Sequence, residues 1–400
     1  MKYVIVLGDG MADEPIAELG NKTPLEYADT PTMDKISKMS EIGLVHTIPE
    51  GMSPGSDTAN LSVCGYDPKI YYTGRSPLEA LSIGVDMKDT DVAIRCNVVT
   101  LSEEDCAYED RTVLDHSAGE ISTEDAAVLV EAVKEGLKRD GYEFYVGTSY
   151  RHLLIWNHGT VVELTPPHDI LTKQIGAYLP TDVVLRDMMK QSYEILKDHP
   201  INVSRREQGL NPANSIWFWG AGTKPNLSAF EEKTGKKGVM ISAVDLLKGI
   251  GVGTSMKNVI VEGANGGLHT NYEGKAKAAL DALLADGYDF AYIHVEAPDE
   301  MGHQGLLPEK IQAIEWLDER IVKVLTEGLD EAGEAYRMLI LPDHPTPIRA
   351  RTHTAGPVPY VLYDSKKNTD SQLIYSERTA QDTGNVWKDG YQLIDYLLEI

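Results

Sequence analysis

Apolar residues fall into short unbroken runs at both ends of the chain, and three of these runs end on acidic or histidine side chains. Residues 2–7 lead to Gly8-Asp9, residues 291–295 lead to Glu296-Ala297-Pro298-Asp299 past His294, and residues 338–341 lead to Pro342-Asp343-His344. Runs of this length without polar alternation predict strands buried on both faces, the habit of a parallel sheet. Around them, strands are expected over 238–242 and 258–262, with helices from Thr32 to near Met39 and over 274–285. The middle of the chain has a different texture: strands over 92–99, 143–146 and 151–156, and a helix from Ser122 or Thr123 to Lys138. The pattern predicts an α/β core with a central, mostly parallel sheet between helices, made of residues 1–88 and 206–400. A smaller α+β domain, 89–205, interrupts it, with 202–212 as the linker and hinges near 88 and 205.

Composition narrows the class. With 400 residues, 42% of them hydrophobic, the chain can bury a large core, and none of its apolar runs approaches a membrane span of roughly 20 residues. The chain enters a strand at once, without the regions of a signal peptide, so the cytoplasm is the expected location. Cys64, Cys96 and Cys106 show no CxxC spacing, which argues for reduced thiols. A formal charge of -25 repels polyanions, so nucleic acid and anionic membrane surfaces are not expected partners. Oligomeric state is left open.

In open α/β sheets ligands bind beyond the carboxyl ends of the strands. Asp9, Asp299 and the Asp343-His344 pair therefore converge on one sheet edge. His303 follows Asp299 at i, i+4 and would share its helical face, while Pro345-Thr346-Pro347 stiffens the loop that leads to His353. Carboxylates mixed with imidazoles suit two divalent cations, manganese or zinc before magnesium. Each residue also has a plainer reading: Asp9-Gly10 as a turn, Asp299 as a helix cap with a surface His303, and His353 as a loop residue. Ser56, in Pro54-Gly55-Ser56-Asp57-Thr58-Ala59-Asn60, is the candidate nucleophile at the start of a helix, or else simply its N-cap. A cation beside it would stabilise its alkoxide.

Taken in chain order, these residues resemble the alkaline phosphatase superfamily, and within it the archaeal-type cofactor-independent phosphoglycerate mutases. Gly8-Asp9-Gly10-Met11, Tyr72-Thr73-Gly74-Arg75-Ser76-Pro77, Arg95-Cys96-Asn97, Tyr150-Arg151-His152 and Thr270-Asn271-Tyr272-Glu273-Gly274-Lys275 extend the likeness over nearly the whole chain. The resemblance implies an alkaline-phosphatase-like core with the inserted domain as a cap that excludes water. It implies one metal on Asp299, His303 and His353, and another on Asp9, Asp343, His344 and the Ser56 oxygen. Ser56 would become phosphoserine while 3-phosphoglycerate and 2-phosphoglycerate interconvert without bisphosphoglycerate. Lys275 would supply cationic help, its plain alternative being a solvated helix residue. Arg75, Arg95, Asn97, Arg151 and His152 would contact the small phosphorylated substrate, although strand arginines are commonly solvated or ion-paired.

One segment departs from the family pattern: Asp115-His116-Ser117-Ala118-Gly119-Glu120 carries His116 and Glu120 where relatives have basic residues. That departure suits a homoserine kinase of the same family, which would take its phosphoryl group from a nucleotide. The chain contains no GxxxxGK[ST] loop, a motif this superfamily does not use. Metal-dependent hydrolysis of phosphate esters is the third reading.

Overall fold

The computed structural model describes residues 1–367 and 369–400. The chain divides into two compact units, Met1–Tyr72 with Asn226–Ile400, and Thr73–Pro225.

The first unit is built on an eight-stranded sheet in the order Val386–Trp387, Glu41–Val45, Val358–Asp364, Tyr336–Leu341, Lys2–Gly8, Phe290–Val295, Gly238–Ile241, Lys257–Asn258. Lys2–Gly8 lies parallel to both of its neighbours, with Leu7 level with His294 on one side and Leu341 on the other. Antiparallel pairing is confined to the two contacts of Val358–Asp364, so the sheet is mostly parallel, as the apolar runs imply. Val4, Val6, Ile293, Val295, Met338 and Ile340 pack one face against Ala276, Ala279, Ile314, Leu317 and Leu325 of three helices. Residues of the other parity, including Ile5, Leu7, Leu339 and Leu341, are just as deeply buried. Each such aliphatic side chain contributes about 1.5–3 kcal/mol, which makes this the rigid part of the unit.

Register then decides what the sheet edge presents. Continuing the alternation beyond Leu7 and Leu341 puts Asp9 and Asp343 side by side on the face that also carries Tyr292 and His294. The helix Ser56–Val63 meets that face, where the Tyr292 hydroxyl donates to Asn60 Oδ1 at 2.6 Å. Of the expected strand over 258–262 only Lys257–Asn258 forms. The chain leaves the sheet there because it is an edge strand, and Ile260 is 73% exposed.

The second unit is α+β. Its antiparallel strands Tyr142–Thr148, Arg151–Trp156, Val92–Leu101 and Ser215–Thr223 pair in that order, and Val113–Asp115 extends one end of Val92–Leu101. The helices Thr123–Gly136 and Val183–Leu196 bury Leu129, Val130, Val133, Leu185, Met188 and Met189 in its core. The boundaries read from sequence, 89 and 205, move outward to Thr73 and Pro225. Ala80, Val85 and Met87 pack on Ala93, Leu153 and Ile155, while Ser215–Thr223 pairs along Val92–Leu101. The expected linker is also replaced by structure: Pro200–Glu207 is a helix, and the buried Asn202 side chain bonds the carbonyls of Leu196 and Ala213 and the Ala213 N–H.

Candidate active site

The strand ends deliver the acidic groups, and a glycine lets them meet. Asp9 extends the ladder through its N–H to the Val295 carbonyl, and the chain turns at Gly10 with φ of 60°. A Cβ on Gly10 would lie 2.6 Å from Asp299 Oδ1 and from Thr346 Oγ1, so a side chain here would displace the site. Asp343 is fully buried; its Oδ1 accepts from the Gly10 and His344 N–H groups and its Oδ2 from Asn60 Nδ2 at 2.9 Å. His344 Nε2 lies 3.3 Å from Asp343 Oδ2, 3.6 Å from Asp9 Oδ1 and 3.1 Å from Ser56 Oγ.

Asp299 and His303 stand one turn apart on the helix Ala297–Gln304, which Pro298 helps to start, with Oδ2 and Nε2 3.3 Å apart. His353 Nε2 lies 3.5 Å from Asp299 Oδ1 and 3.0 Å from His303 Nε2. All seven ligand candidates therefore gather with Ser56. Among the described residues five of them form two groups able to hold a cation, Asp299 with His344 and His353, and Asp9 with Asp343 and His344, and His303 adjoins the first through Asp299 and His353. The plainer readings of a surface His303 and an isolated loop His353 give way to this convergence.

The electrostatics fit a cation. Burial and the charges of Asp343 and Asp299 push the Asp9 carboxyl well above its ordinary range. Its Oδ1 is buried and takes no hydrogen bond, a costly arrangement that a divalent ion would relieve. Burial also raises the Asp299 carboxyl, but hydrogen bonds from His303 and His353 outweigh it and hold that group well below the carboxylate range. Asp299 in turn lifts His303 to about 9. Carboxylates with imidazoles are a donor set for zinc- or manganese-type ions.

Ser56 is the first residue of its helix; Gly55 occupies the N-cap and no side chain caps the end. The N-cap reading of Ser56 is thereby replaced, and its hydroxyl points to His344 instead. Asn60, one turn on, donates to the Ser56 carbonyl and to Asp343, tying the helix to the strand end. Asp57 accepts from the Tyr72 hydroxyl at 2.6 Å.

Lys275 is 1% exposed, which corrects the solvated alternative. Its Nζ donates to the His294 carbonyl at 2.8 Å, and burial lowers it to about 8 despite Glu296.

In the second unit, Arg75 and Arg95 share Glu79 at 3.0 and 3.2 Å, and Arg95 lies 4.2 Å over the Trp219 ring. Trp219 Nε1 donates to Asn97 Oδ1, and Asn97 Nδ2 to the His116 carbonyl. Arg151 pairs with Asn97 in register and is exposed. His152 is one residue out of step and belongs to the opposite face: it is buried, accepts from the Gly147 N–H, and burial lowers it to about 4. The structure thus separates His152 from the other four and adds His168, whose ring meets Trp219 at 5.2 Å and His116 at 6.1 Å.

Sequence reasoning gave no role to Asn60, Thr346 or His294. Asn60 was findable from its i, i+4 spacing to Ser56, and His294 from its strand parity with Tyr292. Thr346, which donates to Asp299 and lies 3.3 Å from His344 Nδ1, carried no signal of its own.

Fold and site together define a two-unit α/β protein with a buried acid and imidazole centre and a serine at a helix N-terminus. A family profile described as 2,3-bisphosphoglycerate-independent phosphoglycerate mutase matches residues 37–202. The chain is 48% identical to the 2,3-bisphosphoglycerate-independent phosphoglycerate mutase of Methanosarcina barkeri, over 95% of each chain. It is 45% identical to that of Methanothrix thermoacetophila over the whole of both. Its fold matches the PH0037 protein of Pyrococcus horikoshii (TM-score 0.82, 30% identity, 100% of this chain and 96% of that one). It also matches the cofactor-independent phosphoglycerate mutase of Thermoplasma acidophilum (TM-score 0.65, 27% identity, 100% and 99%). The chain belongs to the 2,3-bisphosphoglycerate-independent phosphoglycerate mutase family. Nothing in these likenesses supports the homoserine kinase alternative. Among the described residues no helix is long and apolar enough to cross a membrane.

Proposed function

We propose that the chain is a cytoplasmic enzyme that interconverts 3-phosphoglycerate and 2-phosphoglycerate through a phosphoserine at Ser56. The observation that carries this reading is the Ser56 hydroxyl, free of capping duty and 3.1 Å from His344 within the carboxylate and imidazole cluster. Asp299, His303 and His353 would hold one divalent ion, and Asp9, Asp343, His344 and Ser56 Oγ a second, with manganese or zinc favoured by the donor set. Such ions neutralise charge on the transferring phosphoryl group and stabilise a serine alkoxide. Ser56 Oγ forms its bond to phosphorus as the bond to the glycerate 3-oxygen breaks, and the serine proton ends on that oxygen. In the return step the glycerate 2-hydroxyl takes the phosphoryl group and its proton returns to Ser56. The helix N-terminus favours the anionic group placed before it.

Lys275, Arg75, Arg95, Asn97, Arg151 and His152 are carried as proposed cationic and substrate contacts. Of these His152, neutral and turned to its own sheet face, has the least support. The second unit's proposed role is to recognise the glycerate and exclude water, without which a phosphoserine hydrolyses. Acid-quenching the manganese-loaded protein with 3-phosphoglycerate tests the intermediate by peptide mass spectrometry. A phosphate on the peptide containing Ser56 is expected; its absence during turnover would overturn the covalent route.

A further inference from the structure

His294 has no part in the ligand sets above, yet it is completely buried against one of them. Its Nε2 lies 2.8 Å from Asp9 Oδ2 and its Nδ1 lies 3.1 Å from Ser242 Oγ. Register sets the arrangement: Ile241 is level with Ile293, so the next residues, Ser242 and His294, stand side by side, and Asp9 lies on the same face of the neighbouring strand, two residues beyond Leu7, the level partner of His294.

The direction of each bond can be assigned. As an ionised cation ligand Asp9 can only accept, which places the ring proton on Nε2; Nδ1 is then the acceptor for the Ser242 hydroxyl, whose oxygen accepts the Val244 N–H at 3.1 Å. Ser242 is itself buried, which makes it an anchor for the ring. At the other end Lys275 Nζ holds the His294 carbonyl at 2.8 Å, so both the backbone and the ring of this residue are fixed. Asp9 Oδ1 is left as the one oxygen of that carboxylate without a hydrogen bond, 3.6 Å from His344 Nε2.

We infer that His294 is a positioning residue: it engages Asp9 Oδ2 with its Nε2–H, fixes the carboxylate rotamer, and reserves Oδ1 as the single oxygen Asp9 offers a divalent cation. This rests on the proposal that Asp9 is a metal ligand. Outer partners that orient a ligand typically alter metal affinity 10- to 100-fold when lost.

The test is manganese affinity of chelator-stripped protein, measured by titration calorimetry, for the parent, His294→Leu, His294→Gln and Asp9→Asn, with circular dichroism to confirm folding. His294→Leu is expected to weaken binding by about 10- to 100-fold, and His294→Gln, whose amide can donate, to recover most of the loss. Parent-like binding by His294→Leu alongside weak binding by Asp9→Asn would overturn the inference alone. Equal losses in the Leu and Gln variants would do the same, since volume and not the donor would then matter. Parent-like binding by Asp9→Asn would overturn the underlying assignment and the inference with it. Should His294→Leu not fold, nitrogen NMR of the parent's imidazoles decides: the Nε2–H tautomer at His294 is expected, and Nδ1–H would refute the arrangement.

Discussion

Lys310→Met isolates the ion pair that ties the loop between His344 and His353 to the core. Lys310, on the helix Leu307–Leu317, is fully buried, and its Nζ donates to Asp13 Oδ2 and to the Thr346 carbonyl, both at 2.8 Å. Asp13 Oδ2 also accepts the Ile348 N–H, and the Thr346 hydroxyl reaches Asp299, so the ammonium spans the loop on both sides of Pro347. Burial pulls the ammonium's pKa down while Asp13 pushes it back up. Methionine fills similar volume but leaves the Asp13 carboxylate buried without its counter-ion, a loss of about 3–5 kcal/mol. For a folding unit of about 250 residues that is a fall of roughly 6–20 °C in the calorimetric midpoint. Adding Asp13→Asn removes the stranded charge and keeps an acceptor for Ile348, so the double variant should melt above Lys310→Met. A Lys310→Met midpoint within about 2 °C of the parent, or a double variant less stable than the single, would refute the reasoning.

Ser56→Ala should reduce mutase turnover to background while leaving the melting temperature nearly unchanged, and substantial residual turnover would count against the nucleophile assignment. Chelation should lower the melting midpoint and added manganese restore it, because clustered buried carboxylates repel one another; saturation at 100 times Kd corresponds to about 2.7 kcal/mol. Asp318, buried and accepting the Thr32 and Met33 N–H groups, is raised from 3.8 to about 6 chiefly by burial. The folded state therefore holds this proton more tightly, and the resulting stability is full below about pH 4 and lost as pH rises to about 6. Asp318→Asn should gain on the parent by about 1–3 kcal/mol between pH 4 and 7 in calorimetric scans, and a constant difference would contradict it.

The central strands were legible in the sequence because parallel strands buried on both faces need continuous apolar runs, and their acidic ends could be read as one edge. His303 was legible through helical spacing from Asp299. Domain boundaries were not: Ser215–Thr223 belongs to the second unit through pairing with Val92–Leu101, a contact more than a hundred residues away that leaves no local pattern. Asn202 looked like linker chemistry because its role is to satisfy backbone groups of Leu196 and Ala213, and those partners are known only once the chain has folded. His152 entered beside Arg151 through the resemblance of Tyr150-Arg151-His152 to the family's motif, whereas strand alternation sends neighbours to opposite faces. Lys275 illustrates the same limit, since a lysine on an amphipathic helix reads as solvated until the helix is packed.

Conversion of 3-phosphoglycerate by the manganese-loaded chain, followed by phosphorus NMR with no nucleotide and no bisphosphoglycerate present, tests the proposed function most directly. The account predicts a resonance of 2-phosphoglycerate growing to a stable ratio with little free phosphate, and loss of that resonance in Ser56→Ala. Release of inorganic phosphate alone, or no reaction from fully metal-loaded protein, would contradict it.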